Sequence, residues 1–200
     1  EHADEYPAAM VDQMRDMGLF GATIPVEYGG LGLSATTYAR IVETIAGVWM
    51  SLTGIFNSHL IMAACVARTG TQAQKEYYLP RFASGEIRGG LALTEPDAGT
   101  DLQAIRTRAR RDGNGYVING TKTWISNGIH GTCFALLVKT DPDASPRHKG
   151  MSMFIARKTD GFRVSKKLEK MGYKGIDSAE LIFEDYRISA DDLLGGEDGR

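Results

Sequence analysis

Hydrophobic residues in the first part of the chain recur at intervals of three and four, the spacing of a helix with one buried face. Met10, Met14 and Met17, with Val11 beside them, form the first of these stripes. The stripe predicts a core-facing helix that ends at Gly18, because a residue without a Cβ readily takes the left-handed conformation of a helix terminus.

A second helical stripe follows a glycine-rich connection. Ser34 is a suitable N-cap, and the residues after it give a helix one apolar face, which carries Tyr38, Ile41, Val42, Ile45 and Trp49. Residues 58–68 are apolar on most sides. They predict a helix that is buried among others and stops at Gly70.

The next helix has a recognisable start. Thr71 and Gln74 have the spacing of a capping box, in which each residue satisfies a backbone N–H of the other. The pattern predicts a short helix that runs through Tyr78 and is ended by Pro80.

After Arg88 the hydrophobic period changes to two, which indicates strands. The candidate strands, separated by Gly-, Asn- and Asp-rich turns, are residues 90–94, 104–111, 116–119, 122–127, 133–140, 151–156, 162–166 and 179–186. Many short strands with frequent turns favour a sandwich or barrel. We therefore predict an α+β fold, with an all-α domain over residues 1–88 followed, without a flexible linker, by an antiparallel β-sandwich or barrel domain over residues 89–200.

The stretch 116–128 reads as a strand, a tight turn at Asn119–Gly120 and a second strand. Alternation puts Lys122, Trp124 and Ser126 on one face of the second strand, and Thr121, Thr123 and Ile125 on the other. An indole and a hydroxyl on one face could hold a flat ring with polar edges. A tryptophan on a strand is also common in an ordinary core, so the pattern alone leaves both interpretations open.

Composition narrows the function classes. Of the 200 residues 42% are hydrophobic and 24% charged, with a formal net charge of −2 and no long basic tract, so we expect no nucleic-acid binding. The four histidines lack ligand spacing, and no metal site is predicted.

The two cysteines, Cys65 and Cys133, lie in apolar runs and are expected to be buried free thiols. The apolar stretches look too short or interrupted for a membrane span, and no secretory signal is present at the start, so an intracellular protein is expected.

One dense basic cluster lies just before the candidate turn at 112–115. Arg106, Arg108 and Arg110 would share one face of a strand, with Arg111 beside them. A solvated outer face of the sheet is the simpler interpretation. Contact with an anionic ligand or a neighbouring subunit is the alternative.

The motifs of residues 90–128 are more specific together than singly. Thr94-Glu95-Pro96, Gly99-Thr100-Asp101 and the run 119–127 resemble the flavin-binding region of the acyl-CoA dehydrogenase family. Thr100 and Ser126 stand where the commonest family pattern has Ser and Thr, and both keep the hydroxyl. The likeness extends along nearly the whole chain, through residues 170–178 and 181–188.

The resemblance implies that FAD is the cofactor. The family's flavin contacts, carried over position by position, fall on Leu91, Leu93, Thr94, Gly99, Thr100, Trp124, Ile125 and Ser126. The loop from Thr94 to Thr100 would bind the flavin edge and the pyrophosphate, and Thr100 would also meet the substrate. Trp124 would lie against the ring system, and Ser126 would offer a hydrogen bond near flavin N5.

The resemblance also implies an oxidoreductase that desaturates acyl-CoA thioesters between the α and β carbons. A carboxylate takes the α-proton, the β-hydrogen leaves as hydride to the flavin, and electrons pass to an electron-transferring flavoprotein. A homotetramer is implied, in the cytoplasm of a bacterium or the mitochondrial matrix of a eukaryote. An acyl-CoA oxidase, a flavin monooxygenase of the same fold, or a non-catalytic FAD- or CoA-binding module remain alternatives.

The family's catalytic Glu lies in a helical region beyond the β-domain. We therefore expect the chain to be a fragment of a dehydrogenase about twice its size, without the C-terminal helical bundle, the catalytic base or tight FAD retention, and we assign no catalytic residue. Glu95 and Asp101 are carboxylates of the flavin loop, but both are expected to fix that loop.

Overall fold

A computed structural model describes residues 4–196, and it is helical first and β afterwards, as predicted. The helices are α1 (Ala8–Asp16), α2 (Ala35–Thr69) and α3 (Gln72–Ala83), with two short 3₁₀ turns between α1 and α2. Within the described residues seven strands follow: β1 (Gly89–Ala92), β2 (Arg108–Asp112), β3 (Gly115–Ser126), β4 (Cys133–Lys139), β5 (Met151–Arg157), β6 (Phe162–Lys167) and β7 (Ser178–Ser189).

The strands form one mixed sheet in the order β1-β4-β2-β3-β7-β6, with β5 paired to β4. Most neighbours are antiparallel, as predicted, but β1 and β4 run parallel, and β2 meets β4 in parallel at a single pair of residues. Alternation of apolar and polar positions indicates a strand without giving the direction of its partner. The sheet is therefore mixed, and not wholly antiparallel as predicted.

Helix α2 joins the two helical segments predicted between Ser34 and Gly70. The Ser34 hydroxyl caps it by accepting a bond from the Thr37 N–H at 3.2 Å, as predicted. Trp49 interrupts it with φ −155° and ψ 100°, so two helical halves meet at a kink. By length and hydropathy α2 also meets the criteria for a membrane span, contrary to expectation. However, 56% of its apolar window is buried in the protein, as in an ordinary core helix.

The methionine stripe of α1 is only partly core. Val11 and Met14 are buried, whereas Met10 and Met17 are 44% and 66% exposed, so the prediction is wrong for these two residues. The helix ends at Asp16, and Gly18 takes the predicted left-handed conformation with φ 74°.

Helix α3 begins at the predicted capping box. The Thr71 hydroxyl accepts from the Gln74 N–H at 3.2 Å, and the Gln74 side chain accepts from the Thr71 N–H at 3.0 Å. Pro80 does not end the helix, which continues to Ala83. A proline removes one backbone donor, and the next turn still closes, because the Ser84 N–H donates to the Pro80 carbonyl at 3.0 Å.

Strand β3 runs straight through Asn119–Gly120, where a hairpin turn was predicted. Its pairing with β7 shifts register between Ile118 and Gly120, where β7 has one residue more, so the Asn-Gly pair stays within one strand opposite a bulge in β7. Gly120 is required by crowding and by its backbone: its φ is 151°, and a Cβ there would lie 2.4 Å from the Thr107 hydroxyl. The Asn119 amide donates to Asp185 at 3.1 Å instead of forming a turn.

One asparagine connects the helical layer to the sheet. Asn127, with φ 60°, donates its side-chain amide to the carbonyls of Ile55 in α2 and Gly89 in β1, both at 2.9 Å. Its backbone N–H donates to the Asp177 carbonyl at 3.2 Å. The helical layer and the sheet also share a hydrophobic core, which contains buried residues of α2, β4 and β5.

Candidate functional site

The structure brings together the two halves of the stretch 90–128. Gly90 in β1 lies so close to β3 that an added Cβ would be 3.0 Å from the Ser126 carbonyl oxygen. Four residues later the Thr94 carbonyl accepts a bond from the Thr123 N–H at 2.8 Å. The end of β1 and the start of its loop therefore run along the last residues of β3.

A buried ion pair fixes this contact. Lys122 has no exposed side-chain surface, and its ammonium donates to the Glu95 carboxylate at 2.8 Å and to the Leu93 carbonyl at 2.9 Å. Glu95 also accepts from the backbone N–H groups of Arg106, at 2.6 Å, and Thr107, at 3.0 Å. The loop after β1 is thereby fastened both to β3 and to the approach to β2.

The protonation states follow from these contacts. Burial raises the pKa of the Glu95 carboxyl, but the bonds from Lys122, Thr107 and Arg106 outweigh it and hold that pKa below its usual value. Burial lowers the pKa of Lys122, and the bond to Glu95 opposes that shift. Both groups are charged near neutral pH, so Glu95 fixes the loop, as predicted, and is not a free base.

The predicted face of Lys122, Trp124 and Ser126 is wrong. A second bulge between Lys122 and Ile125 inserts an extra residue, so these two residues lie on one face of the sheet and Ser126 lies on the other. Trp124 is the extra residue. It has φ 59°, and its side chain is 57% exposed. The indole and the hydroxyl still lie near one another in the chain, but a bulge rather than strict alternation presents the indole to solvent.

The loop between Thr94 and Ile105 is internally ordered. Glu95 and Ala98 exchange two backbone hydrogen bonds, at 2.8 and 3.2 Å. The Asp101 carboxylate accepts from the Gln103 N–H at 3.1 Å and caps a short 3₁₀ turn. Asp101 therefore fixes the loop, as predicted.

The arginine face lies on the solvent side, as the simpler interpretation predicts. Arg106, Arg108 and Arg110 are exposed and alternate with buried Thr107 and Ala109. Arg106 pairs with Asp97 of the loop at 3.3 Å, and both side chains are mostly exposed.

The eight predicted flavin contacts differ in accessibility. Leu91, Leu93, Thr94 and Ser126 are half-buried, and Gly99, Thr100 and Trp124 are exposed. The Ile125 side chain is only 3% exposed and packs in the sheet core, so this position offers its backbone and not its side chain. Gly99 lies beside Thr94, because an added Cβ would be 3.8 Å from the Thr94 methyl.

This surface has the chemistry that a flavin needs: an accessible indole wall, the hydroxyls of Thr94, Thr100 and Ser126, and a loop with small residues at its tip. The residues present therefore fit FAD. Two cavities of the described chain, of about 820 and 490 Å³, are lined by other residues and do not belong to this surface.

Sequence reasoning missed the pairing of Lys122 with Glu95. A lysine is almost never fully buried unless it is paired, and the available signal was a lysine within a predicted strand of the sheet domain together with a carboxylate in the loop after β1. It also missed the left-handed backbone of Trp124, since no glycine or asparagine marks that position.

The thiols and histidines of the described residues form no metal site. Cys133 is fully buried, and burial raises the pKa of its thiol to about 12. Cys65 is half-buried rather than buried, and its thiol is also free. Between residues 4 and 196 no cluster of His, Cys, Asp and Glu has the arrangement of a metal site.

Comparison with known proteins bears on the identity of this arrangement. Two models of one family match the chain: acyl-CoA dehydrogenase, N-terminal domain, over residues 1–86, and acyl-CoA dehydrogenase, middle domain, over residues 90–186. Mitochondrial isovaleryl-CoA dehydrogenase from Pongo abelii is 39% identical over 189 residues, which are 92% of this chain and 44% of that protein.

Solved structures agree with the sequence matches. The acyl-CoA dehydrogenase from Geobacillus kaustophilus superposes with a TM-score of 0.89 at 38% identity, over 97% of this chain and 51% of the other. An acyl-CoA dehydrogenase complexed with FAD, from Bacillus anthracis, gives a TM-score of 0.86 at 33% identity, over 96% of this chain and 32% of the other. The chain thus spans about half, or less, of the length of these proteins. With both its helical and its β portions matched, the chain belongs to the acyl-CoA dehydrogenase family.

Proposed function

We propose that this chain forms the flavin-binding part of an FAD-dependent acyl-CoA dehydrogenase that desaturates an acyl-CoA thioester. The observation that carries the proposal is the exposed indole of Trp124, held outward by a left-handed backbone beside a loop that the Lys122–Glu95 pair keeps in place. An exposed tryptophan on rigid backbone is a costly feature unless a ligand covers it.

Specific residues would hold the cofactor. Trp124 supplies an apolar wall for the ring system, and the Ser126 and Thr94 hydroxyls orient its polar edge. Exposed Gly99 and Thr100 allow an anionic phosphate to approach the loop backbone. When bound, FAD supplies the acceptor for the hydride that leaves the β-carbon of the acyl group.

We place the acceptor of the α-proton outside the flavin loop. Glu95 is buried, ion-paired and bonded to two backbone N–H groups, and Asp101 caps a turn. Neither carboxylate is available to take a proton from a thioester, and deprotonation without a positioned base forfeits roughly a hundred- to ten-thousand-fold in rate. An electron-transferring flavoprotein as electron acceptor and a homotetramer belong to the same proposal.

The test is an FAD titration of the protein and two variants, followed by the quenching of flavin fluorescence. Trp124→Ala should weaken FAD binding about tenfold or more, because the loss of an aromatic stacking partner is worth on the order of 1 kcal/mol beyond its buried area. Thr123→Val is the matched control. Thr123 is the neighbour of Trp124, and its side chain is buried. The dissociation constant of the Thr123→Val protein for FAD should therefore stay within about twofold of that of the unchanged protein.

Equal losses in the two variants would show that Trp124 does not contact the flavin. Adding acyl-CoA to the protein extended to the length of its relatives then tests the chemistry. Bleaching of the flavin without oxygen uptake supports a dehydrogenase. Bleaching with oxygen uptake supports an oxidase, and FAD binding without bleaching supports a non-catalytic module.

A further inference from the structure

A cavity of about 360 Å³ lies between α1, the connection from α3 to β1, and the start of β4. Its walls are formed by Arg15, Ser84, Gly85, Glu86, Arg88, His130 and Thr132. We call it the anion cavity. Arg88 directly precedes β1 and the proposed flavin loop follows it, so the two sites are separated by the four residues of that strand, roughly 13 Å.

Arg88 is the residue that makes the cavity suitable for an anion. Its side chain is half-buried, donates to the Tyr6 hydroxyl at 2.9 Å, and lies 5.4 Å from the centre of the Phe20 ring. Among residues 4–196 no carboxylate forms an ion pair with it. A partly desolvated guanidinium without a carboxylate is a strong site for an oxyanion, which its planar donors can bind in a bidentate manner.

Arg15 adds a second guanidinium from a different element. Its stem lies over Gly85, where an added Cβ would be 3.3 Å from the Arg15 Cγ, and its head pairs with Asp12 at 3.0 Å in an exposed position. Both arginines act electrostatically on the Tyr6 hydroxyl. Burial raises the pKa of Tyr6, and the positive charges of Arg88 and Arg15 oppose that rise.

His130 forms a fixed wall of the cavity. Its Nδ1 lies 2.7 Å from the buried Asp177 carboxylate, and its ring stacks on Tyr6 with the centroids 3.6 Å apart. The Asp177 carboxylate also accepts from the Ile129 N–H at 2.8 Å, which holds it in place. The imidazole is thus oriented before any ligand arrives, and Nε2 is its remaining polar atom.

We propose that the anion cavity binds a small, doubly charged tetrahedral oxyanion, either inorganic phosphate or the phosphate group of a phosphomonoester. Donors line the cavity from three parts of the chain, namely Arg15 in α1, Arg88 before β1 and the Thr132 hydroxyl before β4, which suits a tetrahedral ion better than a planar carboxylate. Glu86 is the one carboxylate in the wall. It is directed partly outward to Arg81, at 3.6 Å, and it sets an upper limit on affinity.

The test is isothermal titration calorimetry of the protein with phosphate, glycerol phosphate and acetate. Phosphate should bind saturably with a dissociation constant on the order of 1 mM. Arg88→Met should weaken it at least tenfold, and Arg15→Met, an exposed position that is safe for folding, at least threefold. Glu86→Gln should tighten it roughly two- to fivefold by removing a like charge, an effect that a purely structural role would not produce.

Arg106→Met is the matched control, because Arg106 is an exposed arginine beside the proposed flavin loop. Its phosphate affinity should equal that of the unchanged protein. If glycerol phosphate binds as tightly as phosphate, the ligand is a phosphomonoester. If glycerol phosphate does not bind, the ligand is the free phosphate ion. The proposal is overturned by the absence of saturable phosphate binding, by equal affinity for acetate, or by unchanged affinity in both Arg88→Met and Arg15→Met.

Discussion

At the scale of single residues, the least expected feature is a lysine with no exposed surface in the middle of a strand. Lys122 can be buried because its ammonium pairs with the Glu95 carboxylate, which is only 6% exposed, and because the Leu93 carbonyl accepts a further bond. Two charges removed from water cost several kcal/mol each, which only such complete pairing offsets. The pair therefore adds little net stability. Its role is to fix the place where the loop after β1 meets β3.

Lys122→Met should destabilise the protein by about 3–5 kcal/mol, because it leaves the Glu95 charge buried and unpaired. Equilibrium urea unfolding measures the loss. Adding Glu95→Gln to the Lys122→Met protein should recover part of it, since the unpaired charge is then removed as well.

The matched control is Arg163→Met, which breaks an exposed pair with Glu184. Solvent screens that pair, so the unfolding midpoint should hardly move. A loss in Lys122→Met no larger than that in Arg163→Met would contradict the role given to the buried pair.

At the scale of elements, two bulges shape the pairing of β3 with β7. The first lies in β7, opposite Asn119, and the second, at Trp124 in β3, turns the indole outward. A bulge bends a strand and breaks its alternation, so it can re-aim a side chain without ending the pairing. The candidate site is thus a property of irregularities in the strand.

Gly120→Ala should destabilise the protein by about 2–4 kcal/mol, because its Cβ would lie 2.4 Å from the Thr107 hydroxyl and 2.7 Å from the Thr107 Cα. Gly47→Ala is the matched control. That glycine lies within α2, and an added Cβ would meet nothing within 4 Å. It should therefore stabilise by about 0.5–1 kcal/mol. Thermal unfolding of both variants decides the matter: a similar shift in both would mean that Thr107 moves aside freely.

Sequence patterns predicted these elements unevenly, for physical reasons. The cap at Ser34 and the capping box at Thr71 were predicted because they depend on neighbours within four residues. The Asn-Gly pair at 119–120 was misread as a turn, since the contacts that extend β3 come from Thr107 and Asp185, far away in the chain. The two halves of the candidate site were predicted by family motifs. Their joining by Lys122 and Glu95 depends on tertiary burial that no local pattern contains.

At the scale of the whole molecule, one buried histidine lies where three parts of the helical layer meet. His59 in α2 has no exposed surface, and its ring meets those of Phe20 and Phe82 edge to face. Its Nε2 lies 3.0 Å from the Phe82 carbonyl, which can only accept, so Nε2 carries a proton. Burial lowers the pKa of His59 to about 4.

This shift predicts a pH dependence of stability. The unfolded chain takes up a proton near the ordinary histidine pKa of about 6.5, whereas the folded protein does so only near 4. The contribution of neutral His59 to the free energy of unfolding is therefore fully present above about pH 6.5. It is lost as the pH drops toward 4, by on the order of 3 kcal/mol in total. The free energy of unfolding in urea at pH 7.5, 6 and 5 measures the fall.

His59→Gln, which keeps an amide donor for the Phe82 carbonyl, should be less stable at pH 7.5 and should show a shallower decline. His148→Gln serves as the control, because that residue is exposed. An equal slope for His59→Gln and the unchanged protein would assign the pH dependence to other groups.

The side chain of Asn127 has a consequence for the way the protein opens. Its two N–H groups hold a carbonyl of α2 and a carbonyl of β1, and its backbone N–H holds the segment that leads into β7. Neither the helix nor the strand can separate from the other without leaving these buried groups unsatisfied. In terms of hydrogen exchange, the middle of α2 and the start of β1 therefore form one cooperative unit, although they are about thirty residues apart in the chain.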